Sequence, residues 1–278
     1  MQKSGPLITI DLFPVIDRKL IEVLRSLSRE DWERQTIAPL WKVKDIAAHL
    51  LDGNIRGVSM SRDKYFGVSP GEIHSYQDLV DFLNRLNADW VQAAKRISPE
   101  LMITLLDITA NAYYQHVRTL DPFGEAIFSV GWAGEQTSPN WFHIAREYTE
   151  KWHHQQQIRL AVGQEAELLE TSLYFPFLDT SMRALPYHYR QVTGQKDEVI
   201  QFTVSGGNGS WYLWHNGETW ELLSACDIPP VCKILLDKEK AWQIFTKGLK
   251  AEQARPYVQI QGKQSLGEHS LHMLAVMA

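Results

Sequence analysis

Residues 147–161 of the chain read EYTEKWHHQQQIRLA, which places two carboxylates, two adjacent histidines and three glutamines in one predicted helix. The helix is expected to begin near Ser138 and Pro139, which suit a cap and a first turn, and to end at Gly163. Titratable groups on the inward face of a helix cost free energy unless something pairs with them, and a divalent metal ion is one such partner. The segment therefore predicts either a metal-binding face inside a helical bundle or a solvated outer face.

The spacing of these side chains indicates how they would meet. Residues three and four apart share a helix face, so Glu150 and His154 can converge on one point. His49, flanked by apolar residues in DIAAHLLDGN, is the candidate third ligand from a neighbouring helix. His153 is predicted to be exposed and to point away from Glu150, although a helix rotated by one residue would bring His153 and Glu147 inward instead. Three such ligands leave an open coordination position, as in catalytic zinc sites.

Each of these features also has an ordinary structural explanation. A single histidine in a core, such as His49, is more often a hydrogen-bonded structural residue than a metal ligand. A glutamate four residues before a histidine, as in Glu150 and His154, is common by chance on a helix. The spacing alone therefore does not decide between the two interpretations.

Helical periodicity extends over the whole first half of the chain. Apolar residues recur at helical spacing in residues 11–27, 41–62 and 75–98, and a further helix is expected to begin at Pro99. Residues 121–136 contain three glycines and a proline and are expected to connect two helices. The first half thus predicts a helical bundle.

The pattern changes after Gly163. From Glu198 the sequence EVIQFTVSGGNGSWYLWHNGETWELLS alternates apolar and polar residues between glycine and asparagine turns, which is typical of strands. A helix in DKEKAWQIFTKGL and a strand near Val258 follow, before a terminal helix. The expected fold class is therefore multi-domain, an α bundle at residues 1–165 followed by a small α+β domain at residues 166–278.

Length and composition exclude several classes of protein. The chain has 278 residues, of which 44% are hydrophobic and 22% charged, as in globular proteins of one large or two ordinary domains. A net charge of −5 provides no basic patch for nucleic acid or an anionic membrane, and no run approaches the ~20 apolar residues of a membrane span. Cys226 and Cys232 are too few for a disulfide framework, and the first residues lack a signal-peptide core. A cytoplasmic protein is expected.

The first half of the chain also resembles a known family. LRSLSREDWERQTIAPLWKVKDIAAHLLDGNIR, residues 24–56, resembles the N-terminal half of the DinB-like metal-binding four-helix bundles, closest to the mycothiol-dependent maleylpyruvate isomerase type. EKWHHQQQIRLA resembles the last bundle helix of that family, which carries a Glu-x-x-x-His motif. The resemblance implies that His49, Glu150 and His154 bind a divalent metal, usually zinc, with nickel and manganese as alternatives. From about Leu168 the chain resembles the sterol-carrier-like α+β domain of the same isomerases.

This resemblance implies a thiol-dependent S-transferase or isomerase, in which the metal activates a low-molecular-weight thiol that attacks a small-molecule substrate. Two alternatives remain open: a non-enzymatic small-molecule binding protein, and a metal-dependent hydrolase with Glu147 as general base. The expected substrate site is a cleft between the bundle and the second domain, with Arg56, Trp132 and Trp152 as candidate lining residues. The expected partners are the substrate and the thiol, without nucleic acid or membrane, in a monomer or homodimer.

Overall fold

The computed structural model describes residues 1–207 and 209–276, which form eleven α-helices and six β-strands. The helices are α1 Phe13–Ser26, α2 Arg29–Trp32, α3 Val43–Gly57, α4 Tyr76–Ala94, α5 Pro99–Val117, α6 Asn140–Val162, α7 Thr171–Met182, α8 Leu185–His188, α9 Ala241–Phe245, α10 Ala251–Ala254 and α11 Gln264–His269. The strands are β1 Gln2–Lys3, β2 Val199–Val204, β3 Ser210–His215, β4 Trp220–Ala225, β5 Cys232–Leu236 and β6 Val258–Gly262. The chain is thus a helical half followed by an α+β half, which confirms the predicted fold class.

Four long helices, α1, α3, α5 and α6, pack against one another as a bundle, and α4 packs on the outside of α3. Their apolar stripes meet in a core that includes Leu24, Ile46, Leu51 and Leu106. The burial of these stripes stabilises the bundle, because an isolated helix of this length is marginal in water. The predicted helices at residues 11–27 and 75–98 are confirmed within one to four residues at each end.

The predicted helix ends at Pro99 and Gly163 are confirmed, whereas α6 begins at Asn140, so that Pro139 and not Ser138 is its capping residue. The Ser75 hydroxyl accepts a hydrogen bond from the backbone N–H of Asp78, and the Asp78 carboxylate accepts one from the Ser75 N–H. Pro99 occupies the first turn of α5, after the capping residue Ser98. Gly163 ends α6 in the left-handed conformation, with φ of +73°.

The six strands form one mixed sheet in the order β1-β4-β3-β2-β5-β6. The pair β2 and β5 is parallel, and every other neighbouring pair is antiparallel. The edge strand β1 consists of Gln2 and Lys3, which pair with β4 although the whole bundle lies between them in sequence. This strand was not predicted, because two residues are too few to show the alternation of apolar and polar side chains that indicates a strand.

The sheet half packs against the outer face of α6. The indole of Trp152 stacks on Phe177 and Tyr174 of α7, with ring centroids 4.3 and 5.0 Å away, and meets Trp242 of α9 edge-on. These residues belong to one apolar cluster that also includes the inner face of the sheet. As a result every residue from 151 to 159 is buried. The boundary between residues 165 and 166 stays a prediction.

No helix in the described ranges is long and apolar enough to cross a membrane. Cys226 and Cys232 are both free thiols, and Cys232 is buried in β5.

Candidate metal centre

Helices α3 and α6 bring the three predicted ligands together. His154 Nε2 lies 3.5 Å from Glu150 Oε2, one turn earlier on α6. The ring of His49, on α3, has its centroid 4.5 Å from that of His154 and meets it edge-on. The i and i+4 spacing on one helix and the packing of α3 on α6 account for this convergence.

A hydrogen bond fixes the orientation of the His154 ring. His154 Nδ1 lies 2.9 Å from Gln157 Oε1, which only accepts hydrogen bonds, so Nδ1 carries the proton. In a neutral imidazole this leaves the lone pair on Nε2, the atom that faces Glu150. Gln157 thus plays the part of the outer partners that orient metal-binding histidines. Its position three residues after His154 is the one sign of this role in the sequence.

His49 presents an unused nitrogen at the same place. Its Nδ1 is buried and has no hydrogen-bond partner among the described residues. Burial, together with the nearby ring of His154, lowers the pKa of His49 well below its ordinary value, although Glu150 opposes the shift. The neutral form carries the free lone pair that a metal ion requires. Trp41 packs beside it, with ring centroids 4.8 Å apart, and forms one wall of the site.

The prediction for His153 is wrong. Its side chain is buried, with 4% of its surface exposed, and its Nδ1 lies 3.9 Å from Glu150 Oε2. Its ring packs on that of His154, with ring centroids 3.9 Å apart, and so lies with the candidate ligands and not on an outer face. His153 Nδ1 donates to the carbonyl of Thr149 at 2.9 Å, so that nitrogen is not free to bind a metal. Burial lowers the pKa of His153 to about 4.

The carboxylate of Glu150 is surrounded by these rings. Burial raises the pKa of this carboxyl, but the neighbouring imidazoles of His154 and His153 and the charge of Arg146 outweigh burial and lower the pKa below its ordinary value. Ligand atoms of Glu150, His153 and His154 all lie within 4.8 Å of one another, a group able to hold a metal ion. Glu147, the candidate general base, forms an ion pair with Arg146 instead.

A cavity of about 400 Å³ lies beside the site, between α3, α4 and the segment that joins them. Its walls are mostly apolar, with Ile55, Met60, Phe66, Leu86 and Trp90 among the lining residues. Asp52 and Arg56, whose charged groups lie 2.7 Å apart, line it as well and follow His49 by three and seven residues on α3. His49 lies one turn before Asp52 on the same face of α3, but none of the three candidate ligands lines the cavity.

The structure does not bring together the three residues predicted to line the substrate cleft. Arg56 lines the cavity on the bundle, whereas Trp132 and Trp152 lie in the apolar core, 7% and 0% exposed. Because Trp152 anchors α7 and α9, it contributes to packing and not to a substrate cleft.

The donor set fits zinc better than calcium or magnesium. Two neutral imidazoles and one carboxylate are nitrogen and oxygen ligands that zinc accepts in catalytic sites, whereas the hard cations calcium and magnesium prefer six or more oxygen ligands. The free Nδ1 of His49 and the lone pair on His154 Nε2 meet the requirement that ligands be unprotonated.

Known proteins share the fold of this chain. The family described as "Mycothiol maleylpyruvate isomerase N-terminal domain" matches residues 13–159. Two solved structures are similar to the chain, those of the mycothiol-dependent maleylpyruvate isomerase and of a point mutant of it, with TM-scores of 0.53 and 0.52. In both cases the identity is 11% and the likeness covers 93% of this chain and 92% of the other, which establishes a common fold. No curated protein matches the sequence.

Proposed function

Because the chain belongs to the mycothiol maleylpyruvate isomerase N-terminal domain family, we propose that it is a metal- and thiol-dependent isomerase or S-transferase. The metal ligands are His49, Glu150 and His154, zinc is the first candidate, and nickel or manganese are the alternatives. The observation that carries the proposal is the convergence of these three side chains from α3 and α6, with free nitrogens on both histidines.

The chemistry follows from the ligand set. A metal ion held by three protein ligands accepts a small thiol at its open position, lowers the pKa of that thiol and holds it as the nucleophilic thiolate. Glu150, charged at neutral pH because its pKa is low, balances part of the positive charge. Trp41 and the apolar surroundings limit the access of water to the thiolate.

The thiolate would act on an electron-poor double bond. Its addition forms a carbon–sulfur bond and leaves a single bond about which the substrate can rotate; loss of the thiolate restores the double bond in the other configuration. When the adduct is released instead, the outcome is S-transfer. Neither Cys226 nor Cys232 takes part, because the thiol is a separate molecule.

The substrate is proposed to bind in the cavity between α3 and α4. The apolar walls suit the carbon skeleton of a small organic molecule, and about 400 Å³ falls within the range of small-ligand pockets. Asp52, which lines the cavity, follows His49 by one turn of α3, so a molecule that extends from the cavity past Asp52 would meet a thiol at the metal. The identity of the thiol is part of the test, with mycothiol as the first compound to assay.

Metal content and activity test the proposal together. Purified untagged protein is expected to contain about one zinc or nickel ion per chain by inductively coupled plasma mass spectrometry. His49→Ala, Glu150→Gln and His154→Ala are each expected to lose most of the metal and all thiol-dependent turnover. Full metal stoichiometry in His49→Ala would reject the assignment of that ligand.

His153→Ala is the matched control, because His153 is equally buried but its Nδ1 is already bonded to Thr149. The control is expected to keep its metal. If His153→Ala loses the ion and His49→Ala keeps it, the site consists of Glu150, His153 and His154 instead.

The apolar cavity also supports a second candidate, a small-molecule binding protein without turnover. Ligand affinity that is the same in wild type and Glu150→Gln, with no reaction of any thiol, would favour it. A monomer or homodimer and a cytoplasmic location stay predictions.

A further inference from the structure

A lysine side chain lies inside the bundle, one residue after Glu150. Lys151 is 8% exposed, and its Nζ donates to Asp17 Oδ1 and to Asn54 Oδ1, both at 2.7 Å. A buried ammonium costs free energy even when it is paired, and an apolar side chain of similar volume would avoid that cost. The lysine is therefore expected to serve something other than stability.

The hydrogen bonds of this group reach all four bundle helices. Asp17 belongs to α1, Asn54 to α3 and Lys151 to α6. Asn54 Nδ2 in turn donates to Thr109 Oγ1 of α5 at 3.4 Å. We call Asp17, Asn54 and Lys151 the polar knot.

The polar knot lies beside the candidate metal ligands on both helices that carry them. Lys151 follows Glu150 by one residue and precedes His154 by three, and Asn54 follows His49 by five. Because each helical residue turns by a fixed angle, a rotation of α6 that separated Lys151 from Asn54 would also turn Glu150 and His154 away from His49.

Apolar packing alone defines such a rotation poorly. Apolar side chains repack with small losses when neighbouring helices shift, whereas a buried hydrogen-bonded group accepts one register. Burial also raises the pKa of Asp17 above its ordinary value, against the opposing charge of Lys151, which indicates that the pair is retained at a cost.

We propose that Lys151 is a positioning residue: bound to Asp17 and Asn54, it sets the rotation of α6 against α3 that brings Glu150 and His154 to His49. This inference rests on the proposed function, since it concerns the same metal ligands. It assigns no contact between Lys151 and the metal.

The test replaces the polar knot by apolar side chains of about the same total volume, in the variant Asp17→Val/Asn54→Ala/Lys151→Met. This protein is expected to unfold cooperatively, with a melting temperature near or above that of wild type, because buried ion pairs are often replaceable without loss. Its zinc affinity, measured by competition with a chromophoric chelator, is expected to fall at least about tenfold, the loss typical of supporting groups around a metal.

Arg159→Met/Glu167→Gln is the matched control. Arg159 is also a buried cation of α6, 2% exposed and 2.7 Å from Glu167, but its partners lie at the end of the bundle. The control is expected to keep zinc affinity within about threefold of wild type, whatever its stability. An equal loss in both variants, or no loss in the apolar variant, would overturn the inference.

A measurement on metal-free protein tests this inference independently of metal binding. In protein with labelled histidines, the rings of His49 and His154, 4.5 Å apart, are expected to give nuclear Overhauser effects between their protons in wild type and control. The apolar variant is expected to lose these signals or to show several sets of them. If wild type binds no zinc, the proposed function fails, and the contact between the two rings alone decides the role of Lys151. Unchanged signals in the apolar variant would reject the positioning role of Lys151.

Discussion

At the scale of single residues, the ring of His154 depends on Gln157. The amide oxygen of Gln157 accepts the Nδ1 proton and thereby leaves Nε2 free, so its removal allows the other tautomer and a looser ring. Gln157→Met is expected to lower zinc affinity about tenfold or more without loss of fold. Isothermal titration against a competing chelator measures the change.

Gln156→Met provides the comparison for that substitution. Gln156 is the neighbouring buried glutamine, and its amide donates to the carbonyl of Glu165, away from the histidines. Its replacement is expected to leave zinc affinity unchanged. A similar loss of affinity in both variants would mean that helix stability, not ring orientation, controls binding.

The candidate site was only partly predictable, because the sequence shows the spacing of its residues but not their burial. The spacing of Glu150 and His154 and the apolar setting of His49 are visible in sequence, and the structure brings these three side chains together. The burial of His153 and Lys151 is not visible, because it depends on how the rest of the protein packs around α6. For Lys151 the partners are Asp17 and Asn54, which are distant in sequence. A lysine without its partners is most often a surface residue.

At the scale of elements, two glycines are expected to respond to alanine in opposite directions. Gly163 ends α6 at φ of +73°, where an alanine side chain is strained, so Gly163→Ala is expected to cost about 1 kcal/mol of unfolding free energy. Gly53 lies inside α3 with open space around it, and Gly53→Ala is expected to stabilise by about 0.5–1 kcal/mol. Urea unfolding measures both, and the same sign for both would contradict the backbone argument.

The short helices α8 and α11 are joined by two histidines. His188 Nε2 donates to the carbonyl of His269 at 2.8 Å, His269 Nε2 donates to the carbonyl of His188 at 3.1 Å, and the two rings stack. Burial lowers the pKa of His188 to about 4; the charges of His269, His272 and Arg190 add to this shift, and the hydrogen bond to His269 opposes it. Burial, and not the hydrogen bond to His269, therefore favours the neutral imidazole of His188.

Acid is expected to lower the free energy of unfolding through His188. Between pH 6.5 and about 4 the unfolded chain takes up a proton at His188 that the folded chain does not, so stability falls as the pH falls. His188→Gln is expected to reduce that loss by about 1–2 kcal/mol, a value lowered for partial exposure. Thermal melts across this pH range test the expectation, with the exposed His74 replaced by glutamine as control; equal slopes in wild type and His188→Gln would contradict it.

The elements themselves were largely predictable. Helical periodicity identified α1, α4 and α5, and alternation identified β2, β3 and β4, because long amphipathic segments carry the signal repeatedly. The strand near Val258 is β6, whereas β5, Cys232–Leu236, was not predicted. The predicted helix at residues 41–62 is instead α3 followed by a π-helical turn, Val58–Arg62. The change from α-helical to π-helical hydrogen bonding does not alter the spacing of the apolar residues, so the sequence does not reveal it.

At the scale of the whole molecule, one apolar cluster joins the two halves, so they are expected to unfold together. Trp152→Ala removes an indole that packs on Tyr174, Phe177 and Trp242, and is expected to destabilise the protein by about 3–5 kcal/mol. Differential scanning calorimetry of wild type is expected to show a single transition, shifted to lower temperature in the variant. Two separate transitions in wild type, with only one shifted in the variant, would show that the halves are independent.

The strand β1 bears on the order in which the protein is made. Gln2 and Lys3 are synthesised more than 200 residues before their partners in β4. At about 5–20 residues per second, these two residues wait roughly 10–45 seconds for β4. During that time the bundle can form while Gln2 and Lys3 are still unpaired, so β1 joins the sheet only after the whole bundle has been synthesised.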